Sequence, residues 1–201
     1  RHSGDIWALF VEHITLAGGA LILGFAIAFP LALAAVQWPR LYGPVLGLTG
    51  VMFSIPSLAL FILLIPYTGL SKTTSLIGLT IYTLLILVRN MVEGLRGVPS
   101  AITDAARGMG FTRGQRLLRI ELPLAMPVIM AGVRIAAVTV IGLVTVTALI
   151  GQGGLGRLFI TGFSRDFATP VLVGFAGSVA LAVLADLVLV GVQRLLTPWQ
   201  R

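Results

Sequence analysis

No cysteine occurs in the 201-residue chain. Disulfides, thiolate metal sites and a cysteine nucleophile are therefore excluded, while compartment is left open. Charge is scarce too. Asp, Glu, Lys and Arg make up 10% of residues, against about 25% in a soluble domain. Aromatics reach only 8% and are not interleaved with the bases, which argues against a base-stacking platform and a nucleic-acid partner. There is no G-x-x-x-x-G-K-[ST] loop: Lys72, the only lysine, follows Ser71. The chain cannot cradle ATP phosphates by that route. Paired carboxylates, a Ser/His/Asp set and H-E-x-x-H are also missing, so no catalytic constellation or metal site is expected and the chain does not read as an enzyme.

Apolar residues, by contrast, are 57% of the chain, with a mean hydropathy of +1.03. An ordinary water-soluble domain is ruled out, and the length suits one domain. A bilayer core of about 30 Å needs about 20 apolar helical residues. The windows that qualify run over about 14–36, 44–66, 74–93, 124–150 and 168–192, giving an all-α, polytopic membrane protein of about five spans. The first window ends in Ala32-Leu33-Ala34, a small-residue pattern like a leader cleavage site. Asp5 and Glu12 precede it and the run is long, so it reads as a span. The sequence opens at Arg1 rather than Met, which leaves room for residues upstream.

Five spans put the two ends on opposite sides. One side receives Arg40, Arg89, Arg96, Arg107, Arg113, Arg116, Arg119, Arg194 and Arg201; the other receives Arg1, Lys72, Arg157 and Arg165. The richer side reads as cytoplasmic by the positive-inside rule, which places the N-terminus outside and the C-terminus inside. Trp7 then falls near the outer interface, and Trp38 and Trp199 near the inner one. His2 and His13 read as isolated residues near the outer surface, structural or neutral in role.

The longest polar segment is 97–123, GVPSAITDAARGMGFTRGQRLLRIELP. Ser100 or Thr103 is expected to cap a short helix with Asp104 in its first turn. Ala105 and Ala106 leave a smooth face for close approach, and Gly108 and Gly110 end the helix. Arg113, Arg116 and Arg119 recur every third residue opposite Leu117, Leu118 and Ile120, predicting an amphipathic helix lying on the membrane surface. Pro123 then starts the fourth span.

Asp104-Ala105-Ala106, Gly110, Ile120 and Leu122-Pro123 at these spacings resemble the EAA loop of the membrane subunits of bacterial ATP-binding-cassette (ABC) importers, with Asp replacing the leading Glu. The resemblance implies a MetI-like type I fold in which this loop is a coupling helix docked on a cytoplasmic ATPase. Ile55-Pro56-Ser57-Leu58-Ala59, Val88-Arg89-Asn90, Ala106-Arg107-Gly108-Met109-Gly110, Glu121-Leu122-Pro123 and Gly151-Gln152-Gly153-Gly154-Leu155-Gly156 are similar to one branch, importers of glycine betaine, choline and carnitine. Implied partners are an ABC ATPase dimer carrying the ATP and Mg, a second permease copy or sister permease, an extracytoplasmic substrate-binding protein and membrane lipid. The chain itself carries no cofactor. The cell inner membrane is the implied location. The alternatives are a permease for another small solute such as methionine, or one half of an ion-coupled secondary transporter.

Other signals divide. Gly151-x-Gly153-x-x-Gly156 matches a dinucleotide fingerprint formally, but it follows a membrane helix and Asp166 comes too soon. It reads as a tight turn before a short helix over about 155–163, in external loop 151–167. The resemblance implies an outer-gate element there; an ordinary connector is the alternative. Arg134 and Asp186 lie inside spans, about ten and about six residues from the cytoplasmic ends, or ~15 and ~9 Å deep. A long Arg can bridge that gap by snorkelling, which suggests an Arg134–Asp186 pair joining spans four and five; the alternative is that each reaches water or the cytoplasmic ATPase side separately. Arg89, Asn90 and Glu93 read as a salt-bridged end of span three. Pathway or gate candidates are Ser54, Pro56, Ser57, Asn90, Thr145, Gly153 and Gly154; the hydroxyls, with that of Thr147, either line a pathway or bond their own backbone.

Overall fold

The computed structural model describes residues 2–200, with side chains from 6 to 199. Arg1 and Arg201, both counted in the charge tally, and the side chains of His2 and Asp5 lie outside the described residues. All regular elements among the described residues are helical. Four are long and apolar enough to cross a bilayer, Ile6–Gln37, Lys72–Arg96, Arg113–Ile150 and Ala168–Leu196, and the bent pair Pro39–Ser54 and Ser57–Thr68 passes together as a fifth.

Helix α1 (His2–Gln37) ends where Trp38 turns extended and Pro39 opens α2 (Pro39–Ser54). A proline suits a first helical turn, whose N–H groups have no intrahelical acceptor. The window expected as one span over 44–66 is instead broken. Helices α2 and α3 (Ser57–Thr68) meet at 95°. Pro56 is the cause: its ring drives Ile55 into extended backbone (φ −65°, ψ 129°), which ends a helix. The Ile55 carbonyl so freed accepts from the Tyr82 hydroxyl, and the Phe53 and Tyr82 rings meet edge-on at 5.7 Å. Tyr82 thus pins the bend to the next helix. Tyr82→Phe is expected to cost about 1 kcal/mol in a detergent melt, because a half-buried carbonyl loses its donor.

That next helix, α4 (Lys72–Arg96), is capped by Ser71, whose oxygen accepts from the Thr74 N–H at 3.3 Å. It is the central helix, packed against α1, α2, α3 and α7 (Leu122–Val144). Small residues set those approaches. Ala28, Ala32 and Ala35 of α1 lie against Leu87, Val88, Met91 and Val92 of α4. A side chain at Gly132 would occupy the space of Asn90. Arg96, at the end of α4, donates to the Ala35 carbonyl at 3.3 Å and stacks 4.0 Å over the Tyr42 ring. It ties the C-terminal end of α1 and the start of α2 to α4, a link with no local sequence signal.

Helix α5 (Ser100–Gly108) and the short α6 (Arg113–Arg116) follow. The expected surface helix over 113–120 is not separate. It runs through a π-turn (Leu117–Glu121) into α7 and a 3-10 turn (Thr145–Ile150), as one helix Arg113–Ile150. The wider π-turn, with the Leu122 N–H bonded to the Leu117 carbonyl, lets Pro123 sit within the continuous helix. After a 3-10 turn (Gly154–Gly156) come α8 (Arg157–Ser164) and α9 (Ala168–Leu196). Only Gly174, Ser178 and Leu181 of α9 are buried within the chain.

Candidate coupling knob, membrane ion pair and gate

The knob is α5. Neither Ser100 nor Thr103 caps it: Pro99 does, without a side-chain bond, and its carbonyl accepts from the Ile102 and Thr103 N–H groups. Pro99 has no N–H to lose and a fixed φ (−58°), so the helix starts at Ser100 itself, one residue earlier than a Ser100 cap would give. Asp104 consequently falls past the first turn and pairs with Arg107 at 3.4 Å, both exposed.

The other end closes by a full Schellman arrangement. The Phe111 N–H bonds the Ala106 carbonyl at 3.1 Å and the Gly110 N–H bonds the Arg107 carbonyl at 3.0 Å. Gly110 holds φ +83°, the left-handed conformation that this motif requires. Gly108 is simply the last helical residue. Ala105 is exposed as expected, but Ala106 is 1% exposed and so offers no surface for approach. The open face is instead Ile102, Ala105 and Met109, at i, i+3 and i+7, with Ile102 40% and Met109 69% exposed. An apolar stripe on a short polar helix whose main packing partner is the α6 turn is a surface built to be covered. Ile102 and Met109 escaped the sequence reading, though their spacing with Ala105 carried the signal.

The base of the knob is stiff. Thr112 and Gln115 form a reciprocal capping box. Arg116 pairs with Glu121 at 2.6 Å, each 17% exposed. Ile120, Leu122 and Pro123 lie half-buried in the π-turn and the first turn of α7.

Deeper in the bundle Arg134 of α7 and Asp186 of α9 meet in a fork. Nε donates to Oδ1 at 2.7 Å and Nη2 to Oδ2 at 2.9 Å. The bidentate geometry satisfies both oxygens at once, the strongest form such a pair takes. About a third of each side chain stays open in the isolated chain. Arg89 and Glu93 form an exposed i,i+4 pair at 2.9 Å, while Asn90 Nδ2 donates to the Ile86 carbonyl and lies against Gly132.

At the opposite end from the knob, the 3-10 turn after α7, Gly151–Gly156 and α8 fold back on the bundle. Gly151 (φ +81°), Gly153 (φ +111°) and Gly154 (φ +50°) all hold left-handed backbone. Gly153 abuts the Ala148 backbone, and a side chain at Gly154 would stand 2.6 Å from His13 Cβ. Leu155 is 2% exposed, seated on Gly174 and Gly177 of α9. The segment is thus a wedge between α1, the end of α7 and α9. His13 is not near the surface, as its isolation suggested: it is fully buried, and Nε2 lies 2.9 Å from the Ile141 carbonyl.

The hydroxyls of Ser54, Thr145 and Thr147 donate to carbonyls of their own helices, Val51, Gly142 and Val144. Ser57 and Pro56 stand at the α2–α3 bend. Ser54, Pro56 and Ser57 belong to the α2–α3 bend and Thr145, Gly153 and Gly154 to the wedge end, and α3 packs against the 3-10 turn Thr145–Ile150.

The family described as binding-protein-dependent transport system inner membrane component matches residues 20–201. The choline transport system permease protein OpuBB of Bacillus subtilis (strain 168) is 34% identical over 98% of this chain and 91% of its own. The carnitine transport permease protein OpuCB of Listeria monocytogenes is 35% identical, over 93% and 86%. The osmoprotectant import permease protein OsmW of Salmonella typhimurium is 36% identical, over 98% and 94%. In fold, the chain is similar to an inward-facing structure of the MetNI methionine ABC transporter, with a TM-score of 0.86, 23% identity and 96% of each chain covered. An all-helical bundle of this shape and a sequence match along most of its length make one statement: the chain belongs to the family of inner membrane components of binding-protein-dependent transport systems.

Proposed function

We propose that this chain is the permease subunit of an ATP-driven importer of quaternary-amine osmoprotectants such as glycine betaine, choline or carnitine. The observation that carries the coupling step is α5, whose Gly110-locked end and open Ile102, Ala105 and Met109 stripe suit the groove of an ATPase. Two ATPases, binding ATP and Mg, dock on the α5 helices of two permeases, a second copy or a sister chain. The relatives named for choline, carnitine and osmoprotectant transport support the cargo class.

Nine bases against four set α5 and the C-terminus on the cytoplasmic side and the N-terminus outside. The wedge of 151–164 then faces the substrate-binding protein. ATP-driven closure draws the α5 ends together and opens the wedge end; hydrolysis resets the inward-facing state. Among the described residues the three Trp and three Tyr are scattered rather than gathered into a cage of the kind that grips a quaternary ammonium, so tight capture falls to the binding protein.

The deciding experiment is reconstitution of the chain with its co-purifying subunits in liposomes. Uptake of radiolabelled glycine betaine, choline or carnitine is expected to need ATP inside and the binding protein outside, with methionine not taken up. Uptake driven by an ion gradient without ATP overturns the mechanism; methionine uptake alone overturns the cargo.

A further inference from the structure

His13 is fully buried in α1, one of few polar side chains so enclosed, and its partner is unusual. An α-helical carbonyl ordinarily accepts from the N–H four residues on. The Ile141 carbonyl should take the Thr145 N–H, but α7 tightens into a 3-10 turn there and that N–H goes to the Gly142 carbonyl. Ile141 is left with an unclaimed acceptor inside an apolar bundle, where it would be costly. His13 Nε2 fills the vacancy at 2.9 Å. A carbonyl only accepts, so Nε2 carries the proton, and Nδ1 is left without a hydrogen-bond partner.

The same short length of α1 receives the wedge. The backbone of His13 lies so close to Gly154 that a Cβ there would stand 2.6–2.7 Å from its N, Cα and Cβ. Gly156 closes similarly on Thr145, the residue whose N–H was diverted. Three features therefore meet at one point: the tightened end of α7, the glycine wedge, and the His13 side chain of α1, bonded to the Ile141 carbonyl.

We propose that His13 is a positioning residue for transport: its Nε2–H···O=C bond to Ile141 latches α1 to the wedge end of α7, so that α1, the 3-10 turn and the Gly151–Gly156 wedge move as a single body. The latch transmits a tilt of α7 to α1. Without it, α7 and the wedge slip past α1 and the motion is dissipated. This rests on the reading that an ATPase drives the chain.

The test uses the complete reconstituted transporter and reads solute taken up per ATP hydrolysed. His13→Asn keeps an amide but stops short of Ile141; it is expected to assemble and to lower that ratio about tenfold. His13→Gln carries an N–H at the position of Nε2 and is expected to restore most of it. A wild-type ratio in His13→Asn overturns the proposal, as does His13→Gln failing as fully as His13→Asn. Failure of both variants to assemble also overturns it, because His13 is then a folding residue only. ATP-independent uptake by the unmutated transporter would instead overturn the ATPase reading, and the variants' uptake rates alone would then judge the latch.

Discussion

Reversing the charge at either end of the membrane pair, Arg134→Asp or Asp186→Arg, is expected to reduce uptake at least about a hundredfold, and the double reversal to restore most of it. Each single change sets two like charges against each other between α7 and α9. An unpaired charge at mid-span costs on the order of 2.5–3.5 kcal/mol, and 1.36 kcal/mol is a factor of ten. The fork at 2.7 and 2.9 Å is the one charged link between these helices among the described residues. Around it α9 packs on α7 through Leu181, Ala182 and Ala185, so the fork is the polar contact in an otherwise apolar seam. The check is radiolabelled solute uptake normalised to membrane-inserted protein. A double variant as inactive as either single one would show that the pair does more than hold two helices together.

Gly110→Val is the second large effect. A β-branched side chain at φ +83° costs about 1–2 kcal/mol in backbone alone. The bonds from Phe111 to Ala106 and from Gly110 to Arg107 must then loosen. Nothing lies within 4 Å of the Gly110 Cβ position, so the variant should insert and pack normally. The end of α5 unwinds while the membrane core is untouched. ATP hydrolysis is expected to persist with solute uptake down at least about tenfold, measured together in liposomes. Gly108→Ala, at ordinary helical backbone with open space around it, is the control and should behave as wild type. Unimpaired coupling in Gly110→Val would remove α5 from the drive train.

How much of this could be read from the chain follows from range. The long apolar windows announce themselves because composition over about 20 residues decides membrane insertion. The Arg134–Asp186 pair was legible since two ionisable residues in adjacent spans, within reach of a long Arg side chain, have few other partners. The bend at Pro56 was not. Hydropathy over 44–66 is continuous, and it carries no information about direction, so a corner pinned by Tyr82 from another helix looks like a straight span. The cap of α5 went astray for a local reason: Ser100 has the better capping side chain, but Pro99 before it fixes the extended backbone that a cap needs. His13 was illegible for a global reason. Its partner is 128 residues away, and nothing local in the sequence says that the Ile141 carbonyl will be abandoned by its own helix.

The uninterrupted helix Arg113–Ile150 has a mechanical meaning of its own. At about 1.5 Å per residue its 38 residues make a crank some ~57 Å long. Its lower journal is the capping-box turn beneath α5, and its upper crosses into the glycine hairpin. A swing of about 10° about its midpoint carries each tip through about 5 Å in opposite directions. Shutting one mouth of the conduit and parting the other are then the same movement, because the shaft carries Pro123 and Pro127 within one continuous helix.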